Sequence, residues 1–181
     1  MSLVTANPAA ARCRGTYDAV LRQCEQLDEM AAQPDERLFL RAEAVSSWSV
    51  AEQLDHIARS TQAMAGAIQQ ALQPEATSDG RPSLVGRAIL FSGWIPRRVG
   101  KAPEFTRAQT GSREDLGRLL AQARGALDRL EPRLSEIDGA PGRVNHFAFG
   151  DLTARQWLGV IRIHTNHHLK IIADIQRAAA G

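Results

Sequence analysis

Apolar residues recur at every third or fourth position along four stretches of this chain, the spacing of helices that bury one face. In the first stretch the stripe is Cys13, Tyr17, Val20, Leu21, Cys24, Leu27 and Ala31. Asn7-Pro8 reads as an N-cap followed by a proline in the first turn, and Pro34 as the stop. The second stretch opens on Ser49-Val50-Ala51-Glu52, which has the form of a capping box. It continues through Val50, Leu54, Ile57, Ala58, Met64, Ala65, Ile68 and Leu72 to Pro74. The third starts near Ser112, with Glu114 and Asp115 in the first turn, where the helix dipole favours acids. Its stripe of Leu116, Leu119, Leu120, Ala123, Leu127, Leu130, Leu134 and Ile137 contains Pro132, which predicts a kink or an early end. The fourth opens on another capping box, Thr153-Ala154-Arg155-Gln156, and runs to about Ala178 through Trp157, Val160, Ile161, His164, His168, Ile171, Ile172 and Ile175.

No alternating strand pattern and no internal repeat accompany these helices. Four amphipathic helices in 181 residues predict an all-α fold, a four-helix bundle forming one domain over residues 1–181. The connection from Gln73 to Gly111 is long for a bundle. Its apolar middle, Leu84 to Trp94, predicts a short extra helix that either covers the core or walls a substrate pocket.

Charge narrows the partners. The formal net charge is only +2, and the one basic cluster, Arg97, Arg98 and Lys101, is too sparse for a nucleic-acid face. No stretch approaches the ~20 apolar residues of a membrane span, and the first residues lack a signal-peptide pattern. Cys13 and Cys24 lie roughly 16 Å apart along one helix, too far for a disulfide. They read as core thiols in a reducing compartment, so the expected location is cytoplasmic.

The informative chemistry is histidine. His164 and His168 are four apart, so both imidazoles share one helix face, in the middle of the apolar stripe. Buried imidazoles need partners for a donor and an acceptor each, and burial favours the neutral form that binds metals. Core histidines bonded to backbone or carboxylates are one reading of the pair; two ligands of a metal site are the other. A catalytic site of the zinc type takes three protein ligands and an open position. His56 is the best third candidate, although it lies off the main stripe, on a face with Ser49, Gln53, Ser60, Ala63 and Ala67. Periodicity alone leaves His56 equally compatible with a solvated face. His167, at the stripe edge, and His146, in the preceding loop, are candidates for a supporting role. The His-x-x-x-His spacing lacks the glutamate of a zinc-protease helix, and Gln53 and Ile161 stand where a di-iron bundle needs Glu-x-x-His. A mononuclear, mostly histidine site remains, suited to Zn, Ni, Cu or Fe(II).

Two stretches, Trp48-Ser49-Val50-Ala51-Glu52-Gln53-Leu54-Asp55-His56-Ile57 and His164-Thr165-Asn166-His167-His168, resemble the DinB-like (YfiT-like) superfamily of metal-dependent four-helix bundles. Phe149-Gly150-Asp151-Leu152-Thr153 and Gln156-Trp157 resemble one uncharacterised branch of it. That branch carries a His-Pro-x-Phe-Gly run in which this chain has Phe147 in place of the proline. The resemblance implies a metal on His56, His164 and His168, a divalent transition ion with zinc or nickel foremost, and a homodimer. It further implies a metal-dependent enzyme, because characterised relatives include mycothiol-dependent isomerases and bacillithiol transferases. The leading expectation is therefore an S-transferase acting on a small-molecule substrate with a low-molecular-weight thiol. A metal-dependent hydrolase and a non-catalytic metal-binding or stress-response module are the alternatives. Candidate general bases are His167, Glu52 and His146.

Overall fold

The computed structural model describes residues 8–76, 78, 80–97, 103–109 and 111–179, with side chains from residue 12 onward. Asn7, Arg98 and Lys101, named above, lie outside the described residues. The chain is mostly helical. Its long helices are α1 (Pro8–Ala31), α3 (Val50–Ala71), α5 (Arg113–Asp128) and α7 (Ala154–Ala178). Shorter helices α2 (Asp35–Leu38), α4 (Leu84–Ser92) and α6 (Leu134–Gly139) lie between them. Helix α3 packs along both α5 and α7, and α1 packs against α7, α6 and α5.

The helix starts follow the sequence. Ser49 Oγ accepts from the Glu52 N–H while Glu52 Oε2 accepts from the Ser49 N–H, so the expected capping box forms at the head of α3. Thr153 and Gln156 do the same for α7, and Ser112 with Asp115 for α5. The early end expected at Pro132 is realised. Helix α5 stops at Asp128, a 3-10 turn spans Glu131–Arg133, and α6 resumes the apolar stripe with Leu134 and Ile137 buried. The short helix expected between Leu84 and Trp94 is α4, closed by Gly93 at φ 65°.

A two-stranded antiparallel hairpin was not expected. Strand β1 (Arg143–His146) pairs with β2 (Gly150–Thr153), and Val144 faces Leu152 across it. Each strand is four residues with one strongly apolar side chain, too short for an alternation to register in the sequence. Gly150, at φ 76°, closes the turn; a Cβ there would sit 2.7 Å from Ser83 N and 2.8 Å from Arg81 O.

The apolar interior divides into two clusters. One gathers Tyr17, Ile68, Leu127, Leu152 and Ile161; the other gathers Leu38, Leu54, Ile57, Leu120 and Ile172. Helix α3 belongs to the second cluster up to Ala58 and to the first from Met64; α7 belongs to the first up to Ile163 and to the second from Leu169. Between them lies a buried polar seam: Ser60 and Thr61 on α3, Thr165 and His168 on α7. Among the described residues no helix is long and apolar enough to cross a membrane.

Candidate metal centre

The seam brings His56, His164 and His168 together. One nitrogen from each of the three imidazoles lies within 4.8 Å of the others. His56 is 4% exposed and His168 8%, while His164 keeps part of its surface open. His56, the residue that periodicity left open, is buried because its face of α3 meets His164 and His168 on α7, the Trp48 ring and the turn that carries Thr106. Ser49, Gln53 and Ser60 on its face are buried too, whereas Ala63 is exposed.

Two tautomers follow from the partners. A carbonyl oxygen only accepts, so His56 Nδ1–H donates to Thr106 O at 2.6 Å. His168 Nδ1–H likewise donates to Gln53 Oε1 at 2.6 Å. Both rings therefore keep the Nε2 lone pair, as a metal-ligating histidine with an outer acceptor does. His56 Nε2 stands 3.1 Å from His164 Nε2. With bonds of ~2.0–2.1 Å, two nitrogens on one ion sit ~2.8–3.4 Å apart at angles of ~90–109°, so this pair is already spaced as two ligands. His164 Nδ1 is buried with no hydrogen-bond partner among the described residues. Burial is the main force pushing all three imidazoles toward the neutral form. Mutual repulsion among the histidine rings adds to it at His164 and His168, while the Thr106 carbonyl opposes it at His56. Near neutral pH the group is three uncharged nitrogen donors, which fits a divalent transition ion.

The surroundings are aromatic on one side and cationic on another. The Trp48 ring lies 5.0 Å from that of His56. His167 stands edge-on to His168 at 5.0 Å between centroids. His167 also lies by the Ile95 backbone and lines a shallow cleft with Trp94, Arg97, Asn166 and Lys170. Arg97 is paired with Asp174 at 2.5 Å.

Of the three candidate bases, only His167 adjoins the cluster. The Glu52 carboxylate caps α3 and pairs with Arg41 at 2.6 Å. His146 Nδ1 accepts from the Ala148 and Phe149 N–H groups in the hairpin turn. The cysteines are free and unreactive: Cys13 donates to Asp138, and burial pushes both thiols up to about 11. Sequence reasoning passed over two parts of the site. Gln53 carried a signal, since it lies one turn before His56 on an uncharged face. The Thr106 carbonyl carried none, because a backbone acceptor can belong to any residue.

Residues 9–172 match the family model described as the DinB superfamily. Comparison with curated proteins and with solved structures found no match.

Proposed function

The chain belongs to the DinB superfamily, and from that premise we propose that it is a metal-dependent enzyme built on a four-helix bundle of α1, α3, α5 and α7. The metal, zinc or nickel, is held by His56, His164 and His168, and the reaction transfers a low-molecular-weight thiol to an electrophilic small molecule. One observation carries the reading: three neutral imidazoles converge inside a protein core, two of them with their N–H groups turned outward onto fixed acceptors. When bound, the ion supplies a positive centre that holds a thiol as its reactive thiolate, or a water as hydroxide if the chemistry is hydrolysis.

The chain's own residues divide the remaining work. Thr106 O and Gln53 Oε1 hold the Nδ1 protons of His56 and His168 away from the centre. Trp48 covers the His56 ring. Among the described residues no carboxylate joins the histidine group, so the donor set is uncharged and would favour an anionic further ligand. The cleft beside His167, under the long connection, is where we place the electrophile, with Lys170 and Asn166 at its wall. A homodimer in the cytoplasm completes the proposal.

The test is metal analysis of protein purified without a histidine tag, followed by thiol-transfer assays against a panel of electrophiles. About one metal per chain, lost in His164→Ala together with transfer activity, is the expected result. Wild-type protein with no stoichiometric metal would end this reading.

A further inference from the structure

We propose that Gln53 is a positioning residue that selects the ligating tautomer of His168, with its amide anchored at Ser46. The inference rests on the metal-centre reading above. Gln53 sits on α3 one turn before His56, at 2% exposure, and reaches across to α7. Both ends of its amide are engaged. Oε1 accepts from His168 Nδ1–H at 2.6 Å, and Nε2 donates to Ser46 Oγ at 3.0 Å. Ser46 Oγ also accepts from the Trp48 N–H at 3.1 Å, and Ser46 is itself anchored by a bridge to Ala42.

The consequence is directional. An amide presents an acceptor on one end and a donor on the other. With Nε2 turned to Ser46, only the oxygen faces His168, so the imidazole must place its proton on Nδ1. Nε2 then carries the lone pair toward His56 and His164. Rotating the amide by half a turn would reverse this: a donor would face Nδ1, the proton would move to Nε2, and His168 would present an N–H where a ligand is needed. Burial at Gln53 excludes the bulk water that would otherwise substitute for either partner. The amide, anchored at Ser46, thus sets the tautomer, and the tautomer sets the ligand atom. His56 receives the same treatment from a backbone carbonyl, which cannot be reversed by rotation, so Gln53 is the part of the site that substitution can reach.

The experiment has two readouts, both independent of turnover. Nitrogen–proton correlation spectra of the metal-free full chain report the His168 tautomer, and competition with a chelator reports zinc affinity. Wild-type protein is expected to show His168 protonated at Nδ1. Gln53→Met, of similar volume but without an acceptor, should lose that preference and bind zinc ~10–100-fold more weakly, the usual cost of removing a ligand's outer partner. Gln53→Glu keeps the acceptor and should recover the tautomer and most of the affinity. Ser46→Ala frees the amide to rotate and should reduce both the tautomer preference and the affinity. An Nε2–H tautomer in the wild-type protein would overturn the proposal. So would unchanged tautomer and zinc affinity in Gln53→Met. If Gln53→Met fails to fold, Ser46→Ala decides on the same terms, an unchanged tautomer and affinity counting against the proposal. If wild-type protein binds no zinc, the metal-centre reading fails, while the tautomer spectra still judge Gln53.

Discussion

His146 and the His56–His164–His168 group are imidazoles shielded from solvent beside α7, yet their lone pairs end in different places. His146 closes the hairpin turn. Its Nδ1 accepts from Ala148 N–H at 3.1 Å and from Phe149 N–H at 3.2 Å, and its ring stacks on Phe149 at 4.2 Å and abuts Trp157 at 5.0 Å. The lone pair is used up by backbone donors. In the seam the polarity is reversed: the His56 and His168 N–H groups point outward to Thr106 O and Gln53 Oε1, which leaves the Nε2 lone pair of His56 facing His164. Burial depresses the basicity of both kinds, so a depressed imidazole alone does not distinguish a turn-closing histidine from a ligand. The direction of the lone pair does.

The strongest way to break this contrast is to remove each kind of histidine and count metal. His164→Ala should lose stoichiometric metal, whereas His146→Phe should retain it; elemental analysis reads both. Equal loss in the two variants would collapse the distinction. Chelation comes next. A metal at a hundred times its dissociation constant stabilises the folded chain by ~2.7 kcal/mol, so a chelator should lower the melting temperature of wild type and leave that of His164→Ala unmoved. His146→Phe should instead act on the fold. It removes the imidazole acceptor of the exposed Ala148 N–H, which turns to water, while the Phe149 N–H keeps the His146 carbonyl at 3.2 Å, so the cost in denaturant unfolding is about 1 kcal/mol.

The smallest expected effect is on pH dependence. Burial lowers the His146 pKa to about 4, while an unfolded chain restores ~6.5. The neutral ring is therefore favoured by the fold, and its contribution is full above ~6.5 and lost as the pH falls toward about 4. One proton sets a ceiling of ~1.4 kcal/mol per pH unit, which solvent screening at this half-buried ring reduces. Metal-free His146→Phe should show a shallower loss of stability across that window than the metal-free wild type. An unchanged slope would show that His146 does not titrate as its burial implies.

How much was legible depends on the range of the physics. The long helices were legible because their apolar spacing, capping boxes and proline stops act within a few residues of the chain. The His164–His168 pair was legible for the same reason: four residues apart on one helix is a local fact. The hairpin was not, since its stability comes from Val144 meeting Leu152 and from Gly150 packing against Arg81 and Ser83. His56 became visible only through resemblance, because its own helix offers a second face that is buried solely by its neighbours.

By itself, then, the sequence determined where helices begin and end, which face of each is apolar, and that two imidazoles on α7 lie side by side. Tertiary structure decided that α7, Trp48 and the turn carrying Thr106 cover His56, and that two apolar clusters leave a polar seam for the three rings. It also decided the tautomers, through Thr106 and Gln53. The physical reason is that helix periodicity and capping are properties of neighbouring residues, whereas burial and hydrogen-bond direction depend on groups brought from 50 to 115 residues away.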